Sequence, residues 1–216
     1  MTPDLFDQNS AVAAVLALAD GAVVLRRFAL GRAEALVRHI ETVQSQAAFR
    51  QMKTPGGYTM SAAMTNCGRL GWVTDRTGYR YQSTDPQSGE PWPAMPALFS
   101  RLAGDAACAA GFDEFAPDAC LINRYRPGAR MSLHQDKNER DFGQPIVSVS
   151  LGLPVVFQFG GLRRNDRPQR VLLEHGDVVV WGGPSRLRYH GVLALKPGQH
   201  PLTGECRFNL TLRRAD

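Results

Sequence analysis

A chain of 216 residues with 44% apolar content can bury one sizeable core, so a small disulfide-stapled scaffold and a disordered chain are both excluded. Lys and Arg total 25 against 20 Asp and Glu, a net charge of +5 that favours encounter with polyanions such as nucleic acid. Genome composition accounts for that charge equally well, because only Lys53, Lys137 and Lys196 are lysines and the chain is rich in Arg and Ala. The four cysteines, Cys67, Cys108, Cys120 and Cys206, are scattered without a CxxC pair, which suits reduced thiols in an intracellular protein better than zinc or disulfides.

Along the chain, the apolar run AVAAVLALA (Ala11 to Ala19) has the length of a signal-peptide core. Asp4 and Asp7 precede it and no Lys or Arg does, so export is not expected and the protein is placed in the cytoplasm. No run reaches the ~18 apolar residues of a membrane span. Gly21 to Phe28 reads as a strand, and Ala33 to Gln46 as a helix with Leu36, Val37, Ile40 and Val43 at helical spacing. Residues 49–93 mix aromatics and arginines with frequent Gly and Pro, the composition of hairpins and ordered loops rather than of a packed layer. Ala97 to Ala110 reads as a second helix, with Leu98, Leu102 and Ala106 on one side. From Asp118 onward short strands broken by Gly and Pro favour a sandwich or barrel. The expectation is a single α+β, mainly β domain: supporting elements over 1–48, a lid over 49–93, a supporting helix over 94–117 and an all-β core over 118–216.

The stretch LHQDKNER (Leu133 to Arg140) places His134 and Asp136 two residues apart, so an extended segment points both side chains the same way. A third ligand has to come from elsewhere, and His39, His175, His190 and His200 are the candidates. His190 follows the Gly182-Gly183-Pro184 turn at the start of an apolar strand, where a side chain can face a barrel interior. Two His and one carboxylate leave open positions on an octahedral metal, the arrangement of non-haem Fe(II) oxygenases. In RFNLTLR, Arg207, Asn209, Thr211 and Arg213 alternate onto one face and Phe208, Leu210 and Leu212 onto the other. That polar face is either a solvated outer surface or a grip for a small dicarboxylate, which guanidinium forks bind bidentately. Asn123 and Tyr125 in LINRY likewise share a face.

HQD, the distal His190 and the closing RFNLTLR together resemble the AlkB family of Fe(II)/2-oxoglutarate-dependent nucleic-acid dealkylases. The resemblance spans nearly the whole chain through PGGYTM (55–60), PWPAMP (91–96), PDACLINRY (117–125), VSVSLGLP (147–154) and GDVVVWGG (176–183), and it points to the bacterial DNA-repair branch. It implies a double-stranded β-helix, or jelly-roll, core under a nucleotide-recognition lid, with Fe(II) as cofactor and 2-oxoglutarate and O2 as co-substrates. His134, Asp136 and His190 are the implied iron ligands. Arg207 is the implied partner of one 2-oxoglutarate carboxylate and Arg213 of the other or of the adjacent network, with Asn123, Tyr125 and Asn209 assisting. The implied reaction hydroxylates an N-alkyl carbon, releasing succinate and CO2, and the alkyl group leaves as formaldehyde.

For the lid, the resemblance singles out Trp72 as the ring on which a flipped base stacks opposite His134. Tyr79 and Thr54 then lie nearer the nucleotide backbone, and Met64 and Tyr58 line the pocket. The basic loop Arg163 to Arg167 reads as a phosphate contact or a solvated hairpin tip, with Arg164 the residue assigned to phosphate. The implied partner is alkylated DNA, with RNA as a second candidate, presenting a flipped or single-stranded base to a monomeric enzyme. Position 138 departs from the family pattern: Asn138 stands where a carboxylate is expected near the exocyclic amine of the base, with Glu139 beside it as a substitute charge. A 2-oxoglutarate-dependent protein hydroxylase would share the iron and arginine residues, and a non-catalytic nucleic-acid-binding module would tolerate their loss.

Overall fold

The computed structural model describes residues 14–216. Of the run Ala11–Ala19, Ala11 to Ala13 lie outside the described residues. The remainder forms strand β1 (Val15–Ala19), which pairs antiparallel with β2 (Ala22–Leu25). β2 ends earlier than the sequence suggests because Asp177, fully buried, draws the chain aside. Its carboxylate accepts from the Arg26 guanidinium at 2.6 Å and from the Arg27 backbone N–H at 2.9 Å, and Arg27 takes a positive φ of 59°.

Helix α1 (Ala33–Gln46) buries Leu36, Val37, Ile40 and Val43 as its spacing predicts. Helix α2 (Ala97–Ala109) buries Phe99, Leu102, Ala103, Ala106 and Ala107, so its inner face is centred one residue past Leu98, which sits at the edge of the contact. No helix of the described residues is long and apolar enough to cross a membrane.

The other strands are β3 (Ala63–Gly68), β4 (Gly71–Asp75), β5 (Gly78–Gln82), β6 (Ala119–Tyr125), β7 (Met131–His134), β8 (Ile146–Gly152), β9 (Val155–Phe159), β10 (Gln169–Leu173), β11 (Val178–Trp181), β12 (His190–Val192) and β13 (Arg207–Arg213). A large sheet runs β1-β2-β11-β8-β13-β6-β3 and a small one β10-β9-β12-β7, with β4 and β5 as a separate hairpin. The chain passes from the large sheet to the small between β8 and β9 and returns between β10 and β11, which builds the jelly roll.

Three strands of the large sheet come from before residue 118, so the barrel draws on the supporting and lid segments too. β3 is the clearest difference from the sequence reading, since it is a packed, almost wholly buried strand inside a segment that reads as loops. Its residues AMTNCG have little intrinsic strand preference. Pairing with β6 over six residues recruits them, and Thr65 Oγ1 donates to the Ala47 carbonyl at 2.7 Å.

The large sheet is covered on both faces. Val147, Val149, Leu151, Leu210, Leu212, Val178 and Val180 pack with α1 and α2, while Val179 and Trp181 face Phe157, Phe159 and Val192 of the small sheet. β8 and β13 therefore lie between two layers. The polar positions that alternate along them are shut inside the barrel, which disposes of the solvated-surface reading of Arg207, Asn209, Thr211 and Arg213.

Candidate active site

His190 of β12 lies directly opposite His134 of β7 across an antiparallel pair, and the two ring centroids are 4.4 Å apart. The close approach of these strands requires Gly191, where a Cβ would stand 2.6 Å from the Met131 carbonyl oxygen. Asp136 follows two residues after His134 and completes the cluster. Its carboxylate oxygens lie 3.7 Å from His134 Nε2 and 3.6 Å from His190 Nε2, and one donor atom from each of the three residues falls within 4.8 Å of the others.

Each imidazole is oriented from behind: Nδ1 of His134 lies 2.9 Å from the Ser132 carbonyl and Nδ1 of His190 lies 3.1 Å from the Arg188 carbonyl. With Nδ1–H donating to a carbonyl, each Nε2 keeps its lone pair for the centre. Burial and the neighbouring His190 hold His134 down to about 4, against the pull of Asp136, so the ring is neutral near pH 7. Burial alone would raise the Asp136 pKa, but Arg213, His190 and His134 outweigh it and hold the carboxylate well below the usual range. The other candidate third ligands are elsewhere: His39 packs edge-on against Phe99, and His175 pairs with His200.

The polar interior of β13 divides into two parts. Arg207 is 2% exposed, and its Nη2 donates to Ser150 Oγ at 3.0 Å while Nε and Nη1 have no partner. Tyr125, its cross-strand neighbour, lies under the guanidinium at 5.2 Å. A buried guanidinium with two unused N–H donors and no carboxylate of the described residues beside it fits a small acid entering the cavity. Asn123 Oδ1 is likewise buried and unpartnered. Asn209 is held by Ser148, the Val149 carbonyl and Thr211 at 2.8 to 3.1 Å.

Arg213 is already engaged. Its Nη2 and Nε donate to Asp136 Oδ2 at 2.6 and 3.1 Å, and Nη1 donates to the Tyr81 hydroxyl at 3.3 Å. The structure thus places Arg213 in the network behind the Asp136 carboxylate. Ser148, Ser150, Tyr81 and Arg186 belong to this interior and are absent from the sequence-derived set, and Glu139, expected there only as a substitute charge for position 138, belongs to it too. The alternation of Ser148 and Ser150 in VSVSLG, the same signal that marks Asn123 and Tyr125, could have found the two serines.

His134, Asp136, His190, Arg207, Asn209 and Arg213 line one cavity of ≈ 730 Å³, whose mouth is lined by the lid residues. Trp72 on β4 stacks on Tyr79 of β5 with ring centroids 5.7 Å apart and planes at 22°. Asn66, buried on β3, holds Trp72 by both backbone groups at 3.0 Å. The indole Nε1–H donates to Asn138 Oδ1 at 3.2 Å. Thr54, Tyr58 and Arg164 also border the cavity, Tyr58 being 79% exposed and the Arg164 guanidinium lying 5.9 Å from the Tyr189 ring. Met64 is fully buried on β3 and forms part of the wall. Glu139 is turned away from the cavity. Its carboxylate receives the Tyr81 hydroxyl at 2.6 Å and pairs with Arg186 at 3.1 Å, so it does not substitute for a charge at position 138.

A jelly-roll barrel that closes on two imidazoles and a carboxylate, beside an arginine with no counter-charge, defines a non-haem iron oxygenase with a dicarboxylate co-substrate. The model of the 2OG-Fe(II) oxygenase superfamily matches residues 21–213, and the chain belongs to that family. It is 67% identical over 198 residues, 92% of either chain, to the alpha-ketoglutarate-dependent dioxygenase AlkB of Escherichia coli K12. It is 30% identical over 166 residues to the nucleic acid dioxygenase ALKBH1 of Homo sapiens, covering 75% of this chain and 42% of the human one. The solved structure of OsALKBH1 superposes with a TM-score of 0.82 at 30% identity, covering 93% of this chain and 100% of that one. The chain is accordingly an Fe(II)- and 2-oxoglutarate-dependent dioxygenase of the AlkB kind.

Proposed function

We propose that this enzyme reverses N-alkylation damage in nucleic acid, DNA foremost, by oxidative demethylation of bases such as 1-methyladenine and 3-methylcytosine. The observation that carries the reading is the position of Trp72, an indole at the rim of the same cavity that ends at His134, Asp136 and His190. A base cannot reach such a centre from within a duplex, so the substrate is a flipped or single-stranded nucleotide held against a flat ring.

In this assignment His134, Asp136 and His190 hold the iron. Arg207 takes one carboxylate of 2-oxoglutarate with its unused N–H groups, beside Tyr125, Asn123 and Asn209. When bound, Fe(II) and 2-oxoglutarate supply the oxidising power, consuming O2 and releasing succinate and CO2. Trp72 stacks the damaged base so that its N-alkyl carbon faces the metal, with Met64 and Tyr58 bounding the pocket. Tyr79, Thr54 and Arg164 meet the nucleotide backbone, and Asn138 meets the base edge. The enzyme works as a monomer in the cytoplasm, and RNA is its second substrate. A peptide substrate would make little use of an indole and an arginine at the mouth, so a protein hydroxylase is the weaker reading.

The test is formaldehyde release, in the presence of Fe(II) and 2-oxoglutarate, from DNA and RNA oligonucleotides carrying 1-methyladenine or 3-methylcytosine, compared with methylated peptides. Release from the oligonucleotides is expected, with affinity falling as salt rises because arginine–phosphate contacts release counterions. Turnover of peptides alone, or an affinity independent of salt, would overturn the assignment.

A further inference from the structure

The β4–β5 hairpin touches the segment after Asp136 at two points. Trp72 and Tyr81 are directly opposite on the two strands and so share a face of the hairpin. The indole donates to Asn138, and the phenol donates to Glu139. Glu139 is not free to follow the hairpin, since Arg186 pairs with it and is itself anchored on the Gln144 and Asp136 carbonyls at 3.0 and 2.8 Å. Arg213 closes the circuit, with the Tyr81 oxygen, Glu139 Oε1 at 3.5 Å and Asp136 all within its reach. Tyr81, Asp136, Glu139, Arg186 and Arg213 are buried or half-buried, so the bonds among them are not exchanged freely with water, whereas Asn138 is exposed.

We propose that Tyr81 is a positioning residue: through Glu139 and Arg213 its hydroxyl sets the distance between the base-stacking face of Trp72 and the carboxylate of Asp136. The inference rests on reading the cavity as a nucleotide site with Asp136 on the metal. Two rigid parts, barrel and hairpin, must agree to within a fraction of an ångström if the alkyl carbon is to sit at the metal. Asn66 fixes the hairpin at the backbone of Trp72, the Thr74 hydroxyl donates to the Lys53 carbonyl and the Trp92 indole donates to the Gln82 carbonyl; Tyr81 is the contact that links the hairpin to Asp136 through Glu139 and Arg213. Burial raises the phenol's pKa well above the ordinary range, although Arg213 opposes it, so the hydroxyl remains a donor at every working pH.

Tyr81→Phe removes the hydroxyl and leaves the ring, and Glu139→Gln removes the charge and leaves the shape. Four quantities are measured: Mn(II) affinity of the metal-free protein, 2-oxoglutarate affinity with Mn(II) bound, affinity for a 1-methyladenine oligonucleotide, and formaldehyde formed per succinate with ascorbate as reductant. Either substitution should weaken oligonucleotide binding about tenfold, the effect of a lost hydrogen bond to a charged group. Mn(II) affinity should fall severalfold, as expected when a group supporting a metal ligand is lost. The formaldehyde-to-succinate ratio should drop, because the co-substrate is spent while the base is out of register, and 2-oxoglutarate affinity should not change.

In a Trp72→Ala background, Tyr81→Phe should have no further effect on oligonucleotide binding. Additive losses in the double variant, or an unchanged ratio in Tyr81→Phe, would reduce Tyr81 to a fold residue and overturn the proposal. The Mn(II) arm needs no nucleic acid. If the wild type fails to turn over any oligonucleotide, the proposed function falls, whereas an Mn(II) affinity that ignores Tyr81→Phe and Glu139→Gln counts against this inference alone.

Discussion

The barrel interior and the β4–β5 hairpin hold their functional groups in opposite ways. Inside the barrel, His134, Asp136, His190 and Asn209 are each fixed by a backbone carbonyl, a guanidinium or a neighbouring hydroxyl, and Arg207 and Arg213 are nearly inaccessible. On the hairpin, Trp72 is half-buried and Tyr79 is 46% exposed, and a few polar bonds hold the pair over the cavity. A metal and a small dicarboxylate never vary, so a pre-set cage serves them. A nucleotide varies in base, lesion and sequence context, and a stacking ring tolerates that variety because every base has a π-face.

The largest effect is expected where the interior is cut at the metal. His134→Ala, Asp136→Ala and His190→Ala should each abolish formaldehyde release and cripple Mn(II) binding, because the open-site geometry needs all three protein ligands. Wild-type turnover in any of them, with iron supplied, would remove that residue from the triad.

Next come the two buried arginines, and they should separate. Arg207→Leu should raise the 2-oxoglutarate requirement strongly while leaving Mn(II) affinity intact, since Arg207 lines the cavity with two donors unspent and does not touch Asp136. Arg213→Leu strips the counter-charge from Asp136 and Glu139, a change that costs ~3 to 5 kcal/mol when one partner of a buried pair is lost. Its signature is a lower melting temperature and weaker Mn(II) binding. Calorimetry with 2-oxoglutarate on both variants is the check, and equal losses of co-substrate affinity would merge the two roles.

A smaller effect is expected on the hairpin. Trp72→Ala should weaken binding of a 1-methyladenine oligonucleotide by ~1 to 3 kcal/mol, the contribution of one stacked base, with 2-oxoglutarate binding unchanged. If both affinities fall together, the indole is a fold residue and the contrast between the regions is lost.

The smallest effect concerns discrimination between lesions. Asn138 Oδ1 accepts from the Trp72 indole, so what the side chain has left to offer a base is an NH2 donor without charge. A charge-assisted hydrogen bond is roughly twice as strong as a neutral one. Asn138→Asp should therefore raise kcat/KM for cationic 1-methyladenine relative to neutral 1-methylguanine. Glu139→Gln should lower turnover of both lesions without shifting that ratio, because Glu139 faces Tyr81 and Arg186. A ratio that responds to Glu139→Gln alone would place the recognition group at 139.

Elements whose pattern is local were legible in the residues alone. α1 follows from its apolar spacing, β13 from strict alternation, and His134 with Asp136 from a two-residue interval, because backbone periodicity alone dictates where those side chains point. What lies across from them was settled by the folded chain. That the polar face of β13 is interior depends on layers on both sides of β8 and β13, which no single strand encodes. β3 becomes a strand because β6 offers it an edge, against its own weak preference. Residue spacing alone left His190 among four candidates and the family resemblance singled it out, but what sets it opposite His134 is the β7–β12 pairing, which joins residues 56 positions apart. Arg207 and Arg213 look identical in the sequence. One has spare donors and the other is bound to Asp136 because β13 runs past that carboxylate at one end only, and long-range register of that kind is the product of the folded sheet rather than of the residues along it.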